Sequence, residues 1–118
     1  MAPIDFSALL EMLGGKREVV AGLLDTFVTE LATDIDAGRR AVADQDTEAL
    51  RQIAHRIKGT SANLHASVLS ASARELESAC AEADDGLVTL KYDIMCAQSE
   101  RLTDAIQHWR ANPDNAAQ

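Results

Sequence analysis

Apolar residues recur at helical spacing through most of the chain, and this pattern restricts the fold more than any other feature. Across residues 17–44 they fall at intervals of three or four residues, with one interval of seven, which places them on one face of a long helix. This stripe consists of Val20, Leu24, Phe27, Leu31, Ile35 and Val42. No segment alternates apolar and polar residues long enough to predict a strand. The pattern therefore predicts an all-α protein.

Breaks between the apolar stripes divide the chain into five predicted helices. Asp5 and Asp46 are suitable N-caps for the first and third helices, Gly14-Gly15 ends the first helix, and Asp85-Gly86 ends the fourth. The predicted helices cover about 6–13, 17–44, 47–62, 66–84 and 88–111. Because each connection is short, successive helices should be antiparallel neighbours. The predicted fold is an antiparallel up-and-down four-helix bundle with a short extra N-terminal helix.

The helical period also predicts which side chains of the later helices face the core. The third helix buries Leu50, Ile53, Ala54, Ile57, Ser61 and Leu64, and the fourth buries Leu69, Ala73, Leu76, Cys80 and Ala83. The fifth buries Ile94, Leu102, Ile106 and Trp109, with Met95 or Gln98 between. Residues 1–111 are expected to form one domain. Residues 112–118 are expected to be a flexible tail, because Pro113 stops the helix and the tail has nothing to pack.

Charge and the missing motifs exclude several classes of protein. The 118 residues carry a net charge of −8, which argues against nucleic acid and against an anionic membrane surface as partners. No apolar run is long enough to span a bilayer, and no signal peptide is recognisable, so a cytoplasmic location is expected. Cys80 and Cys96 lack zinc-type and CxxC spacing. They are expected to be reduced packing residues, with a redox or metal role as the alternative.

One stretch of the third helix combines an exposed histidine with a bare surface. With Leu50 taken as the core direction, His55 projects at roughly 140°, Gly59 at roughly 180° and Ala62 at roughly 120°. Lys58 projects at roughly 80°, on the flank between core and solvent. A glycine inside a helix costs about 1 kcal/mol relative to alanine. This face therefore favours close approach of another molecule to the ring.

Three basic residues surround this histidine in an otherwise acidic chain. Arg51, Arg56 and Lys58 lie within eight residues of one another, and a positive neighbourhood suits an anion on the ring. Imidazole is largely neutral near pH 7 and keeps a free lone pair. Lys58 can reach a phosphoryl group on His55 and offset its charge. The residues alone leave a second reading open, in which a surface histidine lies on a solvated basic face and the glycine serves packing.

The same stretch resembles the signature of histidine-containing phosphotransfer (HPt) domains. That family has His-x-x-Lys-Gly, then small residues and an apolar residue, as found here in His55-Arg56-Ile57-Lys58-Gly59-Thr60-Ser61-Ala62-Asn63-Leu64. The resemblance continues through Ala66-Ser67-Val68-Leu69 and Arg74-Glu75-Leu76-Glu77. The helical layout is similar over about residues 5–110. The chain thus resembles a single-domain HPt protein.

The resemblance implies a role for several residues. His55 would be phosphorylated through its outward ring nitrogen, Lys58 would stabilise the phosphoryl group, and Gly59 would leave room for the partner. Glu77 would accept a hydrogen bond from the other ring nitrogen, although a solvated helix glutamate is an equal alternative. The expected partner-binding residues are Arg51, Arg56, Ala62 and Val68.

Histidine replaces glycine at one position of the family pattern. His65 occupies the turn between the third and fourth helices, where the family glycine indicates a positive φ. Histidine tolerates that backbone conformation at some cost. His65 and His108 are otherwise interpreted as structural or surface residues.

The implied function is that of a phosphorelay intermediate. It would take a phosphoryl group from a phospho-aspartyl receiver domain and pass it to another receiver. The absence of a Walker-type loop or a kinase ATP motif indicates a stoichiometric carrier, not an enzyme. No metal site or cofactor of its own is expected, and Mg²⁺ would come with the receiver. The receivers would belong to response regulators or to a hybrid histidine kinase, and the carrier would be a monomer. The alternatives are a non-phosphorylated receiver-binding module and a plain structural bundle.

Overall fold

Residues 2–112 are described by the computed structural model as a set of five helices without a strand. The helices are α1 (Phe6–Met12), α2 (Arg17–Ala43), α3 (Thr47–Asn63), α4 (Ser67–Glu82) and α5 (Asp85–Ala111). The all-α prediction and the number of helices are confirmed. The largest difference lies at the start of α5, at residue 85 instead of 88. The predicted tail beyond Asn112, with Pro113 as its helix stop, lies outside the described residues.

Aspartate side chains cap three of the helices. Asp5 accepts a hydrogen bond from the Ala8 amide at 3.0 Å, and Asp46 accepts one from the Ala49 amide at 3.1 Å. Both caps were predicted and are confirmed. Asp84 caps α5 in the same way, at 3.1 Å from the Leu87 amide. Each carboxylate satisfies an amide that has no partner within its helix, which fixes where the helix begins.

The turn between α4 and α5 differs from the prediction. Asp85-Gly86 does not end α4, because both residues lie in the first turn of α5, behind the Asp84 cap. The fourth helix ends at Glu82, and Ala83 adopts the left-handed conformation with φ +57°. Ala83 is consequently exposed, so its assignment to the core was wrong. The cap at Asp84 restarts the helix immediately, which leaves no room for the longer break that a glycine suggested.

The core follows the predicted stripe on α3 closely and the stripe on α2 in part. All six residues assigned to the buried face of α3 are at most 7% exposed. At the C-terminal end of α2, Ile35 and Val42 are only half-buried, and Gly38 and Ala41 are buried there. A Cβ atom at Gly38 would lie 2.8 Å from Cε1 of Tyr92. The missing side chain therefore allows α5 to approach α2.

On α5 the buried stripe includes three of the four predicted residues, Leu102, Ile106 and Trp109. Ile94 is 39% exposed, so its assignment to the core was wrong, whereas Tyr92 and Met95 are buried. The Tyr92 hydroxyl donates to the carbonyl of Ile35 at 2.7 Å. A buried tyrosine is stable when its polar end has a partner. That partner on α2 explains why the aromatic residue, and not isoleucine, faces inwards.

The N-terminal segment contacts both the end of α5 and the turn between α3 and α4. The ring of Phe6 stacks on that of Trp109 with centroids 5.0 Å apart, and the guanidinium of Arg17 lies 3.8 Å above Trp109. The amide of Asp5 donates to the carbonyl of His65 at 3.1 Å, in the turn between α3 and α4. Within residues 2–112, no helix has the length and apolarity to cross a membrane.

Candidate functional site

The imidazole of His55 lies on the outer surface where α3 packs against α4. Its side chain is 64% exposed, and Nδ1 lies 2.8 Å from Oε2 of Glu77 on α4. Within residues 2–112, Nε2 has no hydrogen-bond partner. One ring nitrogen is thus held by the protein and the other is open to an approaching molecule.

The carboxylate of Glu77 also binds Lys58. The Lys58 ammonium donates to Oε1 at 2.7 Å, while Oε2 contacts the ring of His55. The hydrogen bond from Lys58 is the main cause that lowers the pKa of Glu77, and the contact with His55 lowers it further. An ionised carboxylate only accepts hydrogen bonds, so the neutral ring carries its proton on Nδ1. The lone pair then lies on the exposed Nε2.

The face beside His55 is free of large side chains. Gly59 is exposed, and a Cβ atom built there would meet nothing within 4 Å. Ala62, on the next turn of α3, is exposed as well. The glycine therefore does not serve packing against another helix, in contrast to Gly38. Its structural consequence is a bare surface one turn from the ring.

The predicted basic cluster is largely neutralised by acidic side chains. Arg51 donates to Glu48 on the same helix at 2.6 and 2.9 Å, which lowers the pKa of Glu48 to about 2. Arg56 donates to Asp34 on α2 at 2.6 and 3.2 Å, and this bond raises the pKa of Arg56. With Lys58 bound to Glu77, the three cations expected to receive an anion each have a carboxylate partner. The inference from the sequence that these three residues create an unpaired positive charge around His55 was therefore wrong.

Val68 lies apart from the other expected partner-binding residues. It lines a shallow depression of about 440 Å³ between α4 and α5, together with Ala71 and Ile94. Glu75, on the same side of α4, pairs with Lys91 of α5 at 2.8 Å. The structure thus gathers His55, Lys58, Gly59, Ala62 and Glu77 on the α3–α4 surface and places Val68 on the neighbouring one.

Arg74 is a surface residue of α4 that the sequence analysis did not single out. It lines a depression of about 360 Å³ with Asp5, Ala62, His65, Ser67 and Ser70. The hydroxyl of Ser70 donates to the carbonyl of Lys58 at 3.0 Å, which holds this part of α4 against α3. Arg74 precedes Glu77 by three residues, a spacing that puts the two on neighbouring turns of one helix face. That spacing was the available signal.

The turn at His65 has the backbone conformation that the family glycine indicated. Its φ is +59°, and the turn is closed by a 2.9 Å bond from the Ala66 amide to the carbonyl of Ser61. This bond is the closing interaction of a helix C-terminus with a left-handed residue. His108 lies in the last turn of α5, remote in sequence from the α3–α4 surface.

The cysteines carry no sign of metal or redox chemistry in the described residues. Cys80 is buried, Cys96 is half-buried, and both are free thiols. Burial is the largest cause that raises the pKa of each thiol, so both stay protonated at neutral pH. Residues 2–112 contain no group of histidine, cysteine or carboxylate side chains arranged to hold a metal ion.

Comparison with known protein families agrees with this geometry. The family model described as Hpt domain matches residues 22–112, which is most of the chain. Searches against curated proteins and against solved structures returned no significant match. The chain belongs to the Hpt domain family, whose members are phosphocarriers of two-component signal transduction.

Proposed function

We propose that the protein is a phosphorelay intermediate that carries the phosphoryl group on Nε2 of His55. It takes the group from a phospho-aspartyl receiver domain and passes it to a second receiver. The observation that carries this proposal is that the two nitrogens of the His55 ring have different environments. Glu77 binds Nδ1, and the exposed Nε2 stands beside the bare surface at Gly59.

The transfer itself needs only a free lone pair and an in-line approach. The lone pair of Nε2 attacks phosphorus, a P–N bond forms, and the P–O bond to the receiver's aspartate breaks with the electron pair on that carboxylate. Nδ1 keeps its proton, so the phosphorylated ring gains positive charge. The ionised Glu77, 2.8 Å away, offsets that charge. Attack by the aspartate of the second receiver reverses the same steps. Catalysis is mainly positioning.

Lys58 has a second position available in this scheme. In the free protein it is bound to Glu77, and its side chain is 29% exposed. A phosphoryl group on Nε2 would offer oxygens that compete with Oε1 of Glu77 for the ammonium. Lys58 would then turn towards the phosphoryl oxygens, while Glu77 keeps its contact with Nδ1. The carboxylate of Glu77 thus positions both the ring of His55 and the ammonium of Lys58 before the receiver binds.

The receiver supplies the remaining part of the reaction. Its aspartates would hold the Mg²⁺ ion that neutralises charge on the moving phosphoryl group. Receivers of response regulators and of a hybrid histidine kinase are the proposed donors and acceptors. The proposal also includes a cytoplasmic monomer, because the carrier must meet two receivers in turn through the same exposed surface. The interface would be small and transient.

The proposed scaffold for this surface is an up-and-down four-helix bundle of α2–α5, with α1 at one end. Residue pairs across neighbouring helices support opposite chain directions. Gly38 of α2 lies beside Leu50 of α3, while Asp34, earlier on α2, binds Arg56, later on α3. The same reversal relates α3 to α4, where His55 contacts Glu77 while Lys58, later on α3, accepts a hydrogen bond at its carbonyl from Ser70, earlier on α4.

Phosphotransfer to purified protein tests the function directly. The protein is mixed with a phosphorylated receiver and Mg²⁺, and base-stable, acid-labile phosphate on it is measured. We expect the phosphate on the wild type and on His108→Gln, a matched loss of an exposed imidazole, but not on His55→Gln. Phosphate on a folded His55→Gln variant would contradict the assignment. If the receiver binds but no phosphate is transferred, the protein is a receiver-binding module. If the receiver neither binds nor transfers phosphate, the protein is a structural bundle.

A further inference from the structure

We propose that Arg74 is a receiver-recognition residue that binds a carboxylate on the docking face of the receiver. The inference rests on the proposed function, because it names a second point of contact for the same partner. It concerns the depression of about 360 Å³ that Arg74 shares with Asp5, Ala62, His65, Ser67 and Ser70. The carboxylate of Asp5 accepts a hydrogen bond from the Ala8 amide and forms no ion pair with Arg74.

Arg74 is distinguished by its lack of a partner. Among the lysine and arginine side chains of residues 2–112, only those of Arg74 and Lys16 form neither a hydrogen bond nor an ion pair. The others bind side chains or carbonyls of the protein itself: Arg17, Arg39, Arg40, Arg51, Arg56, Lys58, Lys91, Arg101 and Arg110. Within the part of the chain that the structure describes, Arg74 is therefore the cation of the α3–α4 surface without a partner.

The position of Arg74 puts it beside the phosphorylation site without touching it. It lies three residues before Glu77, roughly 5 Å along the axis of α4. The Ser70 hydroxyl bonds to the carbonyl of Lys58, so the segment that carries Arg74 runs alongside the exposed Gly59 and Ala62. A partner that covers His55 from this bare side also meets the guanidinium.

Charge identifies the group that Arg74 receives. A solvated guanidinium has five donors in a planar fork, which matches a carboxylate in two parallel hydrogen bonds. The chain has a net charge of −8, and the proposed partner brings a cluster of aspartates to His55. One free cation beside the ring would reduce the repulsion between the two surfaces and set their orientation. The phosphoryl group is served by Lys58, whose ammonium is already within 2.7 Å of Glu77.

The test compares two variants that remove one unpaired positive charge each. Arg74→Gln removes the proposed contact. Lys16→Gln is the control, because Lys16 is remote from the proposed docking surface. Lys16 precedes α2 and lies 18 residues, or roughly 27 Å along the helix, before Asp34, which binds Arg56 of α3. Phosphotransfer from a phosphorylated receiver is measured as a function of receiver and salt concentration. Arg74→Lys, which keeps the charge but not the fork, is included as the conservative variant.

For Arg74→Gln we expect the receiver concentration for half-maximal transfer to rise about fivefold, with an unchanged maximal rate and a weaker salt dependence. Arg74→Lys should lie between Arg74→Gln and the wild type. Lys16→Gln should match the wild type. The half-life of phosphohistidine on each isolated protein should stay the same, because Arg74 does not contact the phosphoryl group.

Two results would overturn the inference while leaving the phosphorelay function intact. One is equal receiver and salt dependence for the wild type and Arg74→Gln. The other is a shortened phosphohistidine half-life, which would place Arg74 on the phosphoryl group instead of the partner. If the wild type accepts no phosphate, the proposed function fails. In that case, equilibrium binding of the receiver to the wild type and to Arg74→Gln tests the contact of Arg74 independently of transfer. Equal affinities would refute that contact.

Discussion

Glu77 and His55 meet in a 2.8 Å contact between a carboxylate oxygen and Nδ1 of the ring. The two residues lie on different helices, so the contact fixes the imidazole relative to both α3 and α4. The second oxygen of the same carboxylate binds Lys58 at 2.7 Å. The side chain of Glu77 therefore orients the ring of His55 and also binds the ammonium of Lys58. For this reason Glu77 is the most informative residue to change.

Glu77→Gln should slow phosphotransfer without unfolding the protein. A glutamine amide can turn its NH₂ group towards Nδ1, which would move the ring proton to Nε2 and remove the nucleophilic lone pair. We expect transfer to fall by about tenfold or more, as for other changes to residues that orient working histidines. Glu75→Gln is the matched control, since Glu75 binds Lys91 on the far side of α4. Equal rates for both variants would contradict an orienting role for Glu77.

The lowered pKa of Glu77 predicts a specific dependence of stability on pH. Lys58 and His55 favour the ionised carboxylate, so the contribution of this network is complete above the ordinary carboxyl value of 4.5. It should be lost as the pH falls through the lower pKa of the folded state. Denaturant unfolding of the wild type and Glu77→Gln should therefore show a difference at pH 7 that shrinks in acid. A difference that grows as the pH falls would contradict this sign.

The helical period made part of this site predictable from the sequence. Residues on one helix have fixed relative directions, so the exposure of His55 and the bare surface at Gly59 follow from spacing alone. The pairing of Arg56 with Asp34 spans 22 residues and two helices, and no local pattern contains it. The choice between Ile94 and Tyr92 as a core residue likewise depended on a hydroxyl partner on another helix. Among the contacts between helices, the one between His55 and Glu77 was implied by the family resemblance, whereas those of Arg56 and Tyr92 escaped prediction.

Gly59 and Gly22 form a matched pair for testing the docking surface. Both lie within helices, and a Cβ atom at either would meet nothing within 4 Å. Alanine at each position should therefore raise the free energy of unfolding by up to about 1 kcal/mol. Leucine at 59 should slow transfer from a receiver, because it would stand between the receiver and His55. Leucine at 22, on α2, should leave the rate unchanged.

The outcome for leucine decides between two readings of the bare face. Slower transfer for Gly59→Leu alone supports docking over α3. Equal transfer for both leucine variants, with both folded, would show that the receiver does not cover Gly59. Circular dichroism at equal concentration checks the fold of each variant before the rates are compared.

Gly38 should behave in the opposite way from Gly22 and Gly59. A Cβ atom there would lie 2.8 Å from the Tyr92 ring, whose hydroxyl is bound to the carbonyl of Ile35. The ring cannot move without weakening that bond, so Gly38→Ala should destabilise the protein by about 1–3 kcal/mol. Denaturant unfolding measures the change, with Gly22→Ala as the control. Stabilisation by Gly38→Ala would mean that α2 and α5 can separate at little cost.

His65→Gly should stabilise the protein and leave phosphotransfer unchanged. The left-handed conformation at φ +59° costs a residue with a Cβ about 1–2 kcal/mol, part of which is offset by the greater entropy of glycine in the unfolded chain. A net gain of about 0.5–1 kcal/mol is expected from denaturant unfolding. Ala83→Gly, at φ +57° in the turn after α4, should give a similar gain. If His65→Gly raised the stability but slowed transfer, the imidazole beside Arg74 would itself contact the receiver.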